Sequence, residues 1–427
     1  MTDYLEINPK TDCSALTDEH LVSFIPMPNV QEKNNIVEYD LVPYSAVKKG
    51  FTVFKKGDLI WAKITPCMQN GKSCIVNDMP TEIGFGSTEF HVIRKLNDEV
   101  YMPFIWAIFS NENVLKAAKA VFSGSAGQQR VSSSFIEYFP ATIPSYNEQI
   151  RIVSALEQAL VSKNQKLQEA NQLLTQNSKY VLEKLGLSFD YPQKRTTYVT
   201  SLSDIEGRID ADFYSPEFLH FRKQIEDSRF DVVTVEEINH QIITGFAAGK
   251  QDQADDLPEE QRVPHLRPFS ITTEGELSFE TKKYVPTSRL KDSDYCKKNE
   301  IVFNNTNSPE LVGKTTVFDS DVLCAASNHM TRITVKDGIN PYYISAFFNV
   351  LLSIGYWKLL CTNFNNQAGV NIETLKKVKI PLPPKEIQDE IAKELMLRRS
   401  NANQLRKQAH KEWHEAKEQF ERELLEG

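Results

Sequence analysis

The chain has 427 residues, too many for one ordinary domain and suited to two or three. Its 41% hydrophobic and 25% charged residues exclude a disordered, collagen-like or low-complexity chain. A net charge of −8 excludes a uniformly basic nucleic-acid binder but leaves room for a basic face on an acidic body.

The opening, MTDYLEINPKTD, has no apolar core and places an acid before its first base, so no secretory signal is read and a cytoplasmic protein is expected. The first mixed segment follows. FTVFKKGDLIWAKI at 51–64 reads as strand, charged turn, strand, and EFHVIRKL at 89–96 alternates as a half-buried strand does. A helical stretch at 101–122 leads to a small-polar loop, SGSAGQQRVSSS at 123–134. A proline-marked strand (FPATIPSY, 139–146) then enters a long helix. There Val153, Leu160, Leu167, Leu174 and Val181 recur every seven residues, the period of a left-handed supercoil seam. Gly186 is placed as a helix C-cap, and 187–206 is polar and irregular, as a linker is.

The remainder repeats this plan. VSFIPMPNV at 22–30 matches VPHLRPFSI at 263–271, KKGDLIWAK at 55–63 matches KKNEIVFNN at 297–305, GKSCIV at 71–76 matches GKTTVF at 313–318, and PSYNEQIRI at 144–152 matches PPKEIQDEI at 383–391. Four blocks in one order at nearly one offset mark a duplicated domain. The stretch at 344–360 is interrupted by Asn349 and Lys358 and reads as a buried helix rather than a membrane span. TNFNNQAGVN at 362–371 repeats the polar loop, and the final helix carries a second seam through Ile391, Leu395, Ala402, Leu405, Ala409, Ala416, Phe420 and Leu424. The expected architecture is α+β. It comprises a recognition domain at 1–145 with a helical region at 146–186, the linker at 187–206, a second recognition domain at 207–383 and a second helical region at 384–427. The two helices are expected to pair as an antiparallel coiled-coil spacer. About 35 residues, 208–242, have no counterpart in the first copy.

No catalytic constellation is legible. Gly71-Lys72-Ser73 and Gly313-Lys314-Thr315 are only the tail of a phosphate loop and read as a structural turn. No Asn/Asp-Pro-Pro-aromatic run suits amine methylation. The six cysteines form no CxxC or zinc spacing, so no metal is expected and reduced, mostly buried thiols are.

The remaining polar signals suit nucleic acid. Between Ala46 and Ile75 stand six lysines, Lys48, Lys49, Lys55, Lys56, Lys63 and Lys72, against one acid, Asp58. Such a patch neutralises phosphates without reading sequence. The second copy repeats it with Lys282, Lys283, Arg289, Lys291, Lys297, Lys298 and Lys314, while the acidic 251–261 opposes DNA. Amides and guanidinium groups read adenine and guanine edges. The candidates are Thr65, Gln69, Asn70, Gln128, Gln129 and Arg130 in copy one, and Asn304, Asn305, Asn307, Asn365, Asn366 and Gln367 in copy two.

In these features the chain resembles the specificity subunit of type I restriction–modification systems (HsdS). The resembling pieces are INP at 7–9, VSFIPM at 22–27, GDL with a later GK, GQQRVS before IPSYNEQIRI, RIDADFY at 208–214, VPHLRP, and QAGVN leading into IPLPPKEIQDEI. The resemblance implies one copy per complex, each domain reading half of a split, asymmetric double-stranded DNA site. It implies two methylation subunits that carry S-adenosylmethionine, motor-nuclease subunits, a role in phage defence, and no catalysis or cofactor in this chain. The alternatives are a coiled-coil assembly scaffold without DNA readout and an autonomous DNA-modification enzyme.

Overall fold

A computed structural model describes all residues except 126–127, 189–196, 202–204, 206–210, 250–251, 281–282, 365–366 and 427. The chain forms two compact units, Met1–Leu167 with Arg406–Gly427, and Gln168–Leu405. The boundaries cut through both long helices, so each unit takes one end of each.

In the first unit, an antiparallel sheet is ordered Leu5–Ile7, Phe90–Lys95, Leu59–Ala62, Ser73–Ile75. A second sheet is ordered Asp40–Pro43, Leu21–Ile25, Ile83–Gly86, Thr52–Lys55, with Leu21–Ile25 and Ile83–Gly86 parallel. Helix Met102–Ser110 is apolar all round because it is buried, and joins Trp61, Phe54 and Phe90 in the core.

The second unit repeats this order. Its first sheet runs Asn239–Thr244, Met330–Val335, Ile301–Asn304, Thr315–Val317. Its second runs Tyr284–Pro286, Arg262–Leu266, Ala325–Ala326, and the last pair is again parallel. Register is repeated too: Leu59 faces Ile75 as Ile301 faces Val317. The helical stretch at 341–360 is buried as expected but breaks in two, Pro341–Ser353 and Tyr356–Leu360, around left-handed Gly355.

The matched sequence blocks have local causes. The turns in KKGD and KKNE each need one left-handed residue, Gly57 (φ 90°) and Asn299 (φ 67°). The acid that follows closes each turn: Asp58 accepts from the Lys55 N–H at 2.7 Å and Glu300 from the Lys297 N–H at 2.9 Å. The strands expected to be half-buried are buried on both faces along most of their length. Their polar residues are covered by loops and bonded there; His91 Nε2 lies 3.0 Å from the Val131 carbonyl.

The 35 residues expected to lack a counterpart are fewer. Asn239–Thr244 is the counterpart of Leu5–Ile7, since each pairs with the equivalent strand. What is added is helix Pro216–Glu226 and strand Asp231–Thr234, which pairs with Lys379–Leu382. The first copy's 140–144 lies in no strand among the described residues.

The first long helix is Tyr146–Thr175, followed after Gln176 by Asn177–Leu185, so it is not the single element expected; Gly186 caps it with φ 68°. The last helix, Lys385–Glu426, is unbroken. Buried glutamines fix both starts. Gln149 accepts from the Tyr101 N–H (2.8 Å) and donates to the carbonyls of Glu99 and Pro144. Gln388 accepts from the Asn340 N–H (3.0 Å) and donates to the Pro383 carbonyl.

Within each unit the two helix segments lie side by side and antiparallel. In the first, Arg151 pairs with Glu423 and Lys166 with Glu412; in the second, Lys184 pairs with Glu390. The seam expected between helices is shared with the domains. Val153, Leu160 and Phe420 join the first unit's core, and Val181 and Ile391, with half-buried Leu395 at the edge, join the second's. Ala170, Leu174 and Ala402, with Leu405, form a cluster of helix against helix. Leu167 is half-buried.

Candidate nucleic-acid interface

Each copy brings its polar loop against the turn after its central strand. Ile64 bridges Arg130, which also bridges Ser123; Thr306 pairs with Gly369, which also pairs with Thr362. The Thr65 N–H donates to the Gln129 carbonyl at 3.0 Å, and Asn307 faces Ala368. The loops and turns singled out in the sequence are therefore neighbours. Gln128 and Gln367 are exposed at the loop tips, Gln129 is half-buried, and Asn365 and Asn366 lie outside the described residues.

Several of the expected contact groups have partners within the chain. Lys72 Nζ donates to the Met27 carbonyl at 3.2 Å. Lys314, buried, donates to the carbonyls of Pro268 and Ile271 at 2.8 and 2.5 Å. These equivalent lysines clamp equivalent turns. Arg130 presents its fork to Glu89 (2.7 and 2.8 Å), and the pairing holds the Glu89 carboxyl below its ordinary range. Asn304 and Asn305 are buried. Their amides donate to the carbonyls of His329 (3.1 Å) and Asn328 (3.2 Å), and Asn307 donates to Asn304 at 2.7 Å. Asn304 and Asn305 thus hold the 328–330 turn, and Asn307 holds Asn304. Asn70 donates to Glu32, Gln69 is half-buried, and the Thr65 hydroxyl is buried.

The lysine patches are likewise thinned. Lys48 pairs with Asp18. In the second copy Lys283 pairs with Asp255, Arg289 with Asp252 and Lys298 with Asp321. The acidic segment thus neutralises the neighbouring bases, which composition alone did not reveal; Lys282 lies outside the described residues. Lys63 remains on the wall of a groove of about 490 Å³ with Asn8, Lys10 and Thr11.

Sequence reasoning passed over a cluster in the second unit, Arg267 with two histidines, His265 and His329. Burial first, then the Arg267 charge, pushes the His265 imidazole down to about 4, and the same two causes lower His329. Phe246 packs against His265 with ring centroids 4.9 Å apart. The available signal was a difference between the copies, since HLR at 265–267 replaces FIP at 24–26.

Two copies of one α+β domain, each with a polar loop on a strand turn and each continuing into a long helix, define a duplicated binding module. A sequence family described as the type I restriction modification DNA specificity domain matches residues 5–175 and 233–410, and the chain belongs to that family. It is 37% identical over 191 residues to the type I restriction enzyme EcoAI specificity subunit of Escherichia coli, covering 44% of this chain and 32% of that protein. It is 34% identical over 161 residues to the EcoEI specificity subunit of the same organism, covering 38% and 27%. The chain thus matches a third or less of the length of these relatives. Among solved structures, the S subunit of a type I restriction-modification system from M. genitalium aligns at 12% identity over 99% of this chain and 94% of that one, with a TM-score of 0.47.

Proposed function

We propose that this chain is the DNA-recognition subunit of a type I restriction–modification complex and performs no catalysis itself. One copy per complex reads a bipartite, asymmetric site on double-stranded DNA, each domain taking one half. The paired helices serve as the spacer between the readers and as the seat for two methylation subunits, which carry S-adenosylmethionine and the adenine chemistry. Motor-nuclease subunits join for cleavage, in defence against phage. The observation that carries the reading is the duplication itself: two domains whose first sheets share one strand order and register and whose loop sequences differ. Equal scaffolds with unequal loops suit two half-sites of different sequence. No helix among the described residues is long and apolar enough to cross a membrane.

The test is an exchange. Residues 1–145 are replaced by the matching part of a related subunit, and the methylated motif is read by whole-genome modification sequencing with the methylation subunits supplied. One half of the motif should change and the other stay. A hybrid that altered both halves, or left the motif intact, would sink the reading of two independent readers.

A further inference from the structure

Backbone bonds fix which residue of the second unit stands in the place of a given residue of the first. The Lys63 N–H donates to the Glu89 carbonyl at 2.9 Å as the Asn305 N–H does to the His329 carbonyl at 3.0 Å, so His329 stands where Glu89 does. Ile64 bridges Arg130 as Thr306 pairs with Gly369, so a glycine stands in place of Arg130. Ile25 and Gly86 pair in parallel as Leu266 and Ala326 do, so Arg267 stands in place of Pro26. The Arg130–Glu89 ion pair of the first unit has therefore lost both members in the second, and a guanidinium has entered from the neighbouring strand end. That guanidinium is unmatched. Arg267 is half-buried, and its Nε is buried with no acceptor among the described residues. Its terminal nitrogens are not buried and meet no carboxylate, carbonyl or ring there. Every other half-buried arginine among the described residues has a partner. A recessed cation without an acceptor is costly until a ligand supplies one.

Resting on the DNA-recognition role proposed above, we propose that Arg267 reads a guanine in the half-site taken by the second domain, donating with its two terminal nitrogens to O6 and N7. The guanidinium fork matches two acceptors lying in one plane, and guanine presents O6 and N7 in that way in the major groove. The place is the right one. Arg267 adjoins the turn that Asn304 and Asn305 hold, and the same strand end carries Thr306 and Asn307 into the polar loop whose tip is the exposed Gln367. Asn328, on that turn, is exposed as well. A base edge suits the surroundings better than a phosphate. Burial and the Arg267 charge hold His265 and His329 below their ordinary range, so both rings are largely uncharged at neutral pH. Lys283, Arg289 and Lys298 of the same copy are matched by Asp255, Asp252 and Asp321. One free charge among neutral polar groups serves a single base, whereas tracking a backbone takes a row of charges.

The test uses the full chain assembled with the methylation subunits and duplexes carrying its motif, read beforehand by modification sequencing. Each guanine of the second half-site, on either strand, is replaced in turn by 7-deazaguanine, which lacks the N7 acceptor. At one guanine the unaltered complex should lose roughly tenfold in affinity. The Arg267→Ala complex, already weaker by roughly tenfold on the unmodified site, should lose nothing more at that guanine and the full amount at any other sensitive one. Arg267→Lys keeps the charge without the fork and should behave as Arg267→Ala does; it also guards against one variant failing to fold, which thermal unfolding checks. The salt slope of binding should stay unchanged in both. A second half-site with no guanine sensitive in the unaltered complex overturns the assignment, and so do losses that still add in folded Arg267→Ala at every guanine. Binding restored by Arg267→Lys, with random DNA weakened equally by Arg267→Ala and the salt slope flattened by about one unit, marks a phosphate contact and overturns it too. The domain exchange stands apart: if it succeeds while these tests fail, the two readers remain and only the base contact falls, and if it fails both fall.

Discussion

Lys72 and Lys314 look alike in the sequence and act alike in the fold, each held by turn carbonyls that residue type alone does not announce. A lysine after glycine in a polar turn suggests phosphate, whereas the carbonyls that hold these two come from 45 and 46 residues away. Local pattern carries no record of such a partner. Replacing either lysine by methionine should lower stability by about 1–3 kcal/mol, because the turn carbonyls lose a charged donor; urea unfolding measures this, and the salt dependence of DNA binding should stay put. Lys63→Ala should do the opposite, flattening the salt slope by about one unit with stability unchanged. Gln128→Ala and Gln129→Ala should each cost about 1–3 kcal/mol on the correct half-site and little on random DNA. Equal losses on both DNAs would remove these glutamines from base reading. His265 brings a pH dependence. Its ordinary value is 6.5 and burial beside Arg267 lowers it to about 4. As pH falls the unfolded chain takes up the proton first, so the stability due to a neutral His265 is full above about 6.5 and is lost between there and about 4. His265→Phe should flatten that part of the stability profile; an unchanged slope would show that another group sets it.

Whole elements were more legible than single contacts. The duplication, the strand–turn–strand units and the helix ends follow from repeated blocks, left-handed turn positions and the Gly186 cap, all local properties. The fate of the polar faces was not legible, because strand alternation cannot say whether a loop will fold over the polar side, as the one bearing Val131 does over His91. Nor did the seven-residue period show what each seam residue would meet. Val153 and Ile391 meet domain cores while Ala170 and Ala402 meet across the helices, since any apolar neighbour satisfies the same stripe. The glutamines that start the helices were visible as matched letters in PSYNEQ and PPKEIQ, without their purpose. Gln149→Leu should strand the Tyr101 N–H and two carbonyls and cost about 2–4 kcal/mol. Hydrogen exchange should show the loss in 101–110 and leave 340–353 protected, and Gln388→Leu should give the mirror result. Loss spread evenly over both helices would mean that the glutamines are not local clamps.

At the scale of the molecule, the chain returns to where it began. Ala416 and Phe420, near its end, sit in one core with Leu5, Trp61 and Phe104, near its start. Ending the chain after Leu405 should therefore expose the first unit, with amide protection falling across 90–110 and holding across 301–335. Preserved protection in the first unit would show that the late segment only decorates it. The same arrangement sets a schedule during synthesis. A ribosome completes the strands of the first domain long before it makes Phe420, so that domain waits with an open apolar edge while the rest of the protein is being made. The second domain has the segment that covers it, 168–185, in hand before its own strands emerge, and can close at once. Of the two domains, the one translated first is thus the one that finishes folding last, and a nascent chain stalled before Phe420 leaves the earlier domain, not the later one, uncovered.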